Sequence, residues 1–304
     1  MQVRRLSVNP IIYPHMDERM GENINGPSLI RVPDWLPNPL GRYYLYFAHH
    51  QGTYIRLAYA DNVQGPWQIY SPGTLQLAQT PCRGHIASPD IHVDDDDKRL
   101  IMYYHGPVDP EGPATGMGID DGPPIAGTQR SFVATSKNGI HFESGTEVLG
   151  SSYMRAFSWN GWTYALGMPG IFYRSRDGLT HFERGPTHFT PVMRHTAVRL
   201  DGSQLQIFYS NAHDAPERIL LSTIESSPDW MDWQPTLPVT VLQPSCDYEG
   251  ASLRIEPSQR GWAPEPVRQL RDPAIYQEGD RTYLLYSVAG ERGIAIAQIE
   301  RTVQ

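Results

Sequence analysis

Ionisable and amide side chains stand at, or just ahead of, short apolar strands at five places along this chain. Glu22, Asn23 and Asn25 precede Ser28-Leu-Ile-Arg-Val32, and Asp90 opens Asp90-Ile-His-Val93. Arg155 lies in Met154-Arg-Ala-Phe-Ser-Trp159, Arg194 and His195 precede Thr196-Ala-Val-Arg-Leu200, and Arg271 and Asp272 precede Pro273-Ala-Ile-Tyr276. A further carboxylate, Glu249, sits in Cys246-Asp-Tyr-Glu-Gly-Ala-Ser252, ahead of the last of these strands. Paired carboxylates perform acid–base chemistry when burial or a like charge keeps one protonated while the other stays ionised. Arginines beside them anchor hydroxyls or carboxylates, and Trp159 and Tyr248 offer flat faces for stacking. Such groups are costly to bury alone. Either they pair with one another as scaffold, or they line one polar pocket.

A pocket requires elements that bring distant segments together, and the chain repeats itself in a way that does so. Each strand named above is followed by a turn and a second strand, aromatic-rich in all but detail: Arg42-Tyr-Tyr-Leu-Tyr-Phe47, Arg99-Leu-Ile-Met-Tyr-Tyr104, Trp162-Thr-Tyr-Ala-Leu166, Gln204-Leu-Gln-Ile-Phe-Tyr209 and Arg281-Thr-Tyr-Leu-Leu-Tyr286. Irregular spacing around a fixed unit points to blades with loop insertions, hence an all-β, five-bladed propeller. The first residues of the inner strands then converge on the mouth of the central channel. The last unit is one strand short, and the N-terminal Val3-Arg-Arg-Leu-Ser-Val8 is expected to complete it and close the ring. Two near-copies, Ser136-Lys-Asn-Gly-Ile-His-Phe142 and Ser175-Arg-Asp-Gly-Leu-Thr-His-Phe182, read as two-residue outer hairpins, with glycine supplying positive φ.

Composition agrees with this reading. The 304 residues include 27 Gly, 27 Pro, 17 Tyr and 7 Trp with 19% charged residues, which excludes a coiled coil, a helical bundle and a disordered chain. One domain over residues 1–304 is expected. A formal charge of −8 argues against a nucleic-acid partner. No apolar run reaches membrane-spanning length, and no secretory leader is visible, so a cytoplasmic location is expected. Cys82 and Cys246 form no disulfide framework and lack metal-ligand spacing. His49, His50, His105 and His213 fall near the ends of second strands without a recognisable metal motif, so no metal and no cofactor is predicted. The aspartate run at residues 94–97 reads as a solvated turn.

Asn25-Gly-Pro-Ser-Leu-Ile-Arg31, Ser88-Pro-Asp-Ile-His92, Tyr248-Glu-Gly250 and Arg271-Asp-Pro273, each leading toward a strand and then a tyrosine-rich strand, resemble the five-bladed propeller glycoside hydrolases of families 43, 32, 68 and 117. The C-terminal stretch from Arg271 to Glu291 and the segment Asp214-Ala-Pro-Glu-Arg-Ile-Leu-Leu-Ser222 look most like family 117. The resemblance implies an exo-acting glycoside hydrolase with an oligosaccharide or glycoside as its substrate. It makes Glu249 the first choice for proton donor, with Asp90 and Asp272 as further carboxylates. His195 is kept because family 117 assigns an acid role to a histidine. Glu22, Asn25, His105, Arg155, Arg271, Tyr248 and Trp159 are the implied substrate contacts. One departure is chemical: these families carry an aspartate before the first-blade proline, and here Gly26 occupies that position. Glu22 or Asp17 would have to replace it. Otherwise the chain is a carbohydrate-binding propeller without catalysis, and a sialidase-like enzyme is a further alternative.

Overall fold

A computed structural model describes residues 1–108 and 129–300. Its strands form five antiparallel sheets arranged as the blades of a propeller. Blade one comprises Asn25–Arg31, Tyr43–Ala48, Arg56–Ala60 and Gln68–Ile69. Blade two comprises Ala87–Asp94, Arg99–Pro107 and Gln129–Ser136, with the short Glu143–Ser144 and Gly150–Ser151 both pairing on Gln129–Ser136. Blade three is Arg155–Trp159, Trp162–Gly167, Ile171–Ser175 and Glu183–Thr187. Blade four is Met193–Asp201, Gln204–Asn211, Ile219–Glu225 and Val239–Leu242. Blade five is Arg271–Glu278, Arg281–Ser287 and Ile294–Glu300, and its outermost strand is the N-terminal Gln2–Arg5. Val3 pairs with Ile299 and Arg5 with Ala297, so the first strand closes the ring.

The second strands are buried on both faces because each blade packs against a neighbour on either side. Tyr43–Ala48 is buried at every position. Such a strand reads as a continuous apolar and aromatic run rather than an alternating one. Leu45, Phe47, Leu285 and Ile296 fill the wedge between blades five and one, while Tyr164, Phe172 and Trp233 fill that between three and four. Truncating one of these, as in Leu45→Ala, costs about 2–5 kcal/mol through lost contact and the cavity left behind.

The two near-copies join third to fourth strands, but as longer turns than two-residue hairpins. Residues 137–142 separate Gln129–Ser136 from Glu143–Ser144. The Asn138 carboxamide oxygen accepts from the amides of Ile140 and His141, and Asp177 accepts from Leu179 and Thr180 in the same way. A side chain that caps two amides ahead of it holds open a wider turn than a hairpin of two residues. Their glycine carbonyls serve as inter-blade locks: Tyr46 of blade one donates to Gly139 O at 2.8 Å, and Tyr103 of blade two donates to Gly178 O at 2.6 Å. Among the described residues, no helix is long and apolar enough to cross a membrane.

Candidate active site at the channel mouth

The inner strands share one backbone device. Gly26, Ser88, Tyr153, His195 and Asp272 occupy equivalent positions at their beginnings, and all five have positive φ, between 48° and 61°. In blades one, two, four and five the strand register shifts at this point. A bulge breaks the in–out alternation and re-aims one side chain. Holding a non-glycine residue in this region costs of order 1–3 kcal/mol, and the surrounding pairing must over-determine it. Here the four side chains so placed, those of Ser88, Tyr153, His195 and Asp272, line a single cavity of about 570 Å³. Asn25, His50, His85, His105, Arg194 and Glu291 complete much of its wall, and Arg260 and Gly261 reach it from the long connection between blades four and five.

Beneath the cavity the charges are cross-linked. Glu217, wholly buried, lies 3.2 Å from both Arg194 Nε and Arg271 Nε and accepts from Ser210 Oγ at 2.6 Å. Arg271 also donates to Glu291 at 2.9 Å. Glu291 takes further hydrogen bonds from Asn23 at 2.5 Å and Asn25 at 3.2 Å, and its carboxylate lies 3.7 Å from His50 Nδ1. Burial works against its charge, but His50, Arg271 and Asn23 outweigh that and hold the carboxyl down to about 2. Asp272 lies in the opposite setting. Burial, and then the negative charge of Glu291, push its carboxyl above the ordinary range. Its Oδ1 accepts from Tyr153 at 3.0 Å and lies 3.7 Å from His195 Nε2; Oδ2 makes no hydrogen bond of good geometry among the described residues, although the Ser287 hydroxyl lies close to the same carboxyl and opposes the rise. Burial, followed by the nearby Arg194 and Arg271, keeps His195 far below the usual imidazole range. His105, buried and close to His85 and His50, is lowered to about 3. These histidines are therefore neutral near pH 7. Among the described residues no group of three or more His, Cys, Asp or Glu is arranged to hold a metal ion.

Of the residues expected from sequence, Asn25, His105, His195 and Asp272 line this cavity. Arg155 and Arg271 lie behind it as supports. Arg155 donates to Tyr153 Oη at 3.2 Å, to Pro89 O at 2.5 Å and to Thr196 O at 3.1 Å. The remaining five are elsewhere. Asp90 lies between blades two and three, 2.8 Å from His92 and 3.7 Å from Arg155, accepting from the Ala156 amide. Ser88 takes the mouth position two residues earlier. Glu22 is an exposed partner of Arg292 and His15. Trp159 packs on Tyr164 and Trp233 in the wedge between blades three and four. Tyr248 packs against the wedge between blades four and five. Glu249 does not reach the mouth either. It receives Arg5 at 2.7 and 3.0 Å, Tyr286 at 2.9 Å and the Ser245 amide at 2.8 Å. Arg5 belongs to the outermost strand of blade five, so this partner draws Glu249 to the periphery of the ring.

The cavity also holds Tyr153, Glu291 and His85, with Glu217 under the floor, none of which the sequence marks, and His50, which the sequence places at the end of a second strand without a role. The available signal was positional. His50, Glu217 and Glu291 all lie in the connections that follow second strands. Tyr153 stands two residues before Arg155, in the register of Gly26, His195 and Asp272. Gly26 itself admits no aspartate without movement, because a Cβ there would lie 2.9 Å from Ser88 Cα.

No protein-family model matches the chain. An uncharacterized protein of Acanthamoeba polyphaga mimivirus is 35% identical over 313 residues, spanning 92% of this chain and 84% of that protein. Among solved structures, a glycosyl hydrolase from Bacteroides ovatus superposes with a TM-score of 0.67 at 13% identity, covering 100% of this chain and 95% of that one. The GH43_1 enzyme from Xanthomonas citri, solved with xylose, gives 0.61 at 12% identity, with 96% and 91% covered. The fold is that of the five-bladed glycoside-hydrolase propellers.

Proposed function

From the premise that this chain belongs to the family of the mimivirus protein and has a glycoside-hydrolase propeller fold, we propose that it is an exo-acting glycoside hydrolase with its active site at the channel mouth. The observation that carries this reading is the pair of carboxylates on one cavity whose surroundings drive them apart, Asp272 toward its protonated form and Glu291 toward its ionised form. Glycoside hydrolysis requires that division of labour: one carboxylic acid protonates the leaving oxygen, while the ionised carboxylate takes a proton from the water that attacks the anomeric carbon, or attacks that carbon itself before water completes the step. Asp272 is the donor in this scheme. Tyr153 and His195 hold one side of its carboxyl. Glu291, fixed by Arg271, Asn23 and Asn25, is the ionised carboxylate. All five blades contribute to the wall of the cavity, which favours a chain end over a continuous strand. Its volume is within the usual range for small-ligand sites.

The test is Asp272→Asn assayed on two leaving groups. With an alkyl or sugar leaving group, turnover should fall by about 10²–10⁴, the usual worth of a general acid. With nitrophenol, which departs with little protonation, most of the loss should be recovered. Equal losses on both substrates would remove Asp272 from the donor role.

A second reading has its own observation. The first-blade position is Gly26, with no side chain and no room for one. A propeller that binds sugars at this mouth without cleaving them is consistent with that. Wild-type protein that binds glycosides but releases no product would establish it.

A further inference from the structure

Arg194 is buried in the cavity wall, and three contacts fix its guanidinium. Nε lies 3.2 Å from Glu217 Oε1 and 3.2 Å from His195 Nδ1, and Nη1 donates to Gln259 O at 2.9 Å. Nη2 is left with no hydrogen-bond partner among the described residues, although it is buried. A guanidinium cannot shed its proton at any working pH, so Nη2 is a cationic donor held in the cavity wall with its hydrogen bond unmet. The two buried arginines and two buried glutamates balance, so what Arg194 lacks is a hydrogen-bond acceptor for Nη2 and not a counter-charge. Arg194 shares its carboxylate, Glu217, with Arg271, and Glu291 is taken up by Arg271 and two asparagines. At the lip stands a second cation. Arg260 is exposed, lines the same cavity, and donates to the carbonyl of Pro191 rather than to a carboxylate. The neutral His105 and His195 add hydrogen-bonding capacity without adding charge.

We infer that the sugar bound in this cavity carries a carboxylate, as in a uronic acid, which is received by Arg194 Nη2 with the charge of Arg260 above it. This rests on the reading of the mouth as a sugar site and names the class of sugar. Charge-assisted hydrogen bonds from a planar guanidinium to a carboxylate are shorter and about twice as strong as neutral ones. Such an acceptor offsets the burial of Arg194 more fully than a sugar hydroxyl would.

Binding is the readout that separates this inference from the hydrolase reading. Calorimetric titration of the full chain would compare methyl galacturonoside and methyl glucuronoside with methyl galactoside and methyl glucoside, and with inorganic phosphate. At least one uronoside should bind about tenfold or more tightly than its neutral counterpart, and more tightly than phosphate. Arg260→Ala, a lip substitution that disturbs no buried pair, should reduce the preference severalfold. Arg194→Lys, read only if its melting curve matches the wild type, should abolish the preference. Neutral sugars binding as well as uronosides, phosphate binding as well as uronosides, or no binding by any of them would each overturn the inference. Uronosides that bind with this preference yet are never cleaved would leave it standing and end the hydrolase reading.

Discussion

Two buried acidic sites in this propeller use the same residue types to opposite ends. At the rim, Glu249 is enclosed by Arg5, Tyr286 and the amides of Ser245 and Cys246, so both oxygens are occupied. At the mouth, Asp272 Oδ2, Arg194 Nη2, His105 Nδ1 and Asn25 Oδ1 are buried without partners. A saturated buried carboxylate is a clasp: it joins the ring-closing N-terminal strand to the long connection that carries Arg260 to the lip. An unsaturated set is costly to the empty fold, since each unmet buried polar atom is unfavourable by about 1–3 kcal/mol, and it is relieved by a ligand. Burial and charge alone do not distinguish a structural carboxylate from a reactive one. Between Glu249 and Asp272, completeness of hydrogen bonding does.

The sharpest way to break this comparison is to neutralise one carboxylate of each kind. Asp272→Asn should reduce turnover on poorly leaving glycosides by about 10²–10⁴. Its melting temperature at neutral pH should not fall, because the fold already disfavours that charge. Glu249→Gln should do the reverse. Leaving Arg5 without its buried partner should cost about 3–5 kcal/mol in denaturant unfolding, with turnover per folded molecule within about twofold of wild type. A stable Glu249→Gln protein without activity would make Glu249 a reactive carboxylate and not a clasp.

The histidines of the mouth should be visible in the pH dependence of stability. His105 drops from an ordinary 6.5 to about 3 in the fold, because burial and then its histidine neighbours disfavour its charge. The unfolded chain therefore binds a proton that the folded chain refuses, and stability is lost as pH falls from about 6.5 toward 3. His105→Gln should flatten that part of the profile, measured by urea unfolding across the range. Glu291 acts lower: its folded value near 2 lies below the ordinary 4.5, so its contribution is full above 4.5 and declines toward 2.

Smaller effects belong to the rim. Tyr103→Phe removes the hydrogen bond to Gly178 O and should cost about 0.5–1.5 kcal/mol without touching turnover. Arg4→Ala breaks an exposed pair with Glu300 and should change stability by no more than about 1 kcal/mol, less at high salt. A larger loss there would mean that ring closure depends on surface charge and not on strand pairing.

The repeat was legible in the residues: apolar strand, turn and aromatic strand recur because every blade buries both faces of its second strand, and that demand is local. Ring closure was legible for the same reason, since a blade short of one strand leaves an unpaired edge. Asp272, His195 and Asn25 could be placed because the Arg-Asp-Pro, Arg-His-Thr and Asn-Gly-Pro segments fall in register with one another. Residue type points to Asp90 and Arg155, each two residues past the position that faces the mouth. The residues that face the mouth, Ser88 and Tyr153, are selected by a backbone bulge at positive φ, which residue type does not announce outside glycine. Glu249 was drawn to the mouth by its Tyr-Glu-Gly context and is held at the rim by Arg5, 244 residues away in sequence. Glu217 and Glu291 look like surface glutamates in their loops and become a buried floor only when Arg194 and Arg271 arrive from neighbouring blades. The sequence by itself determined the strands and their order around the ring, because side-chain period and turn chemistry act over a few residues. Which carboxylates are paired and which are left facing a cavity was decided by tertiary structure alone, because desolvation and partner count depend on chain segments far apart in sequence.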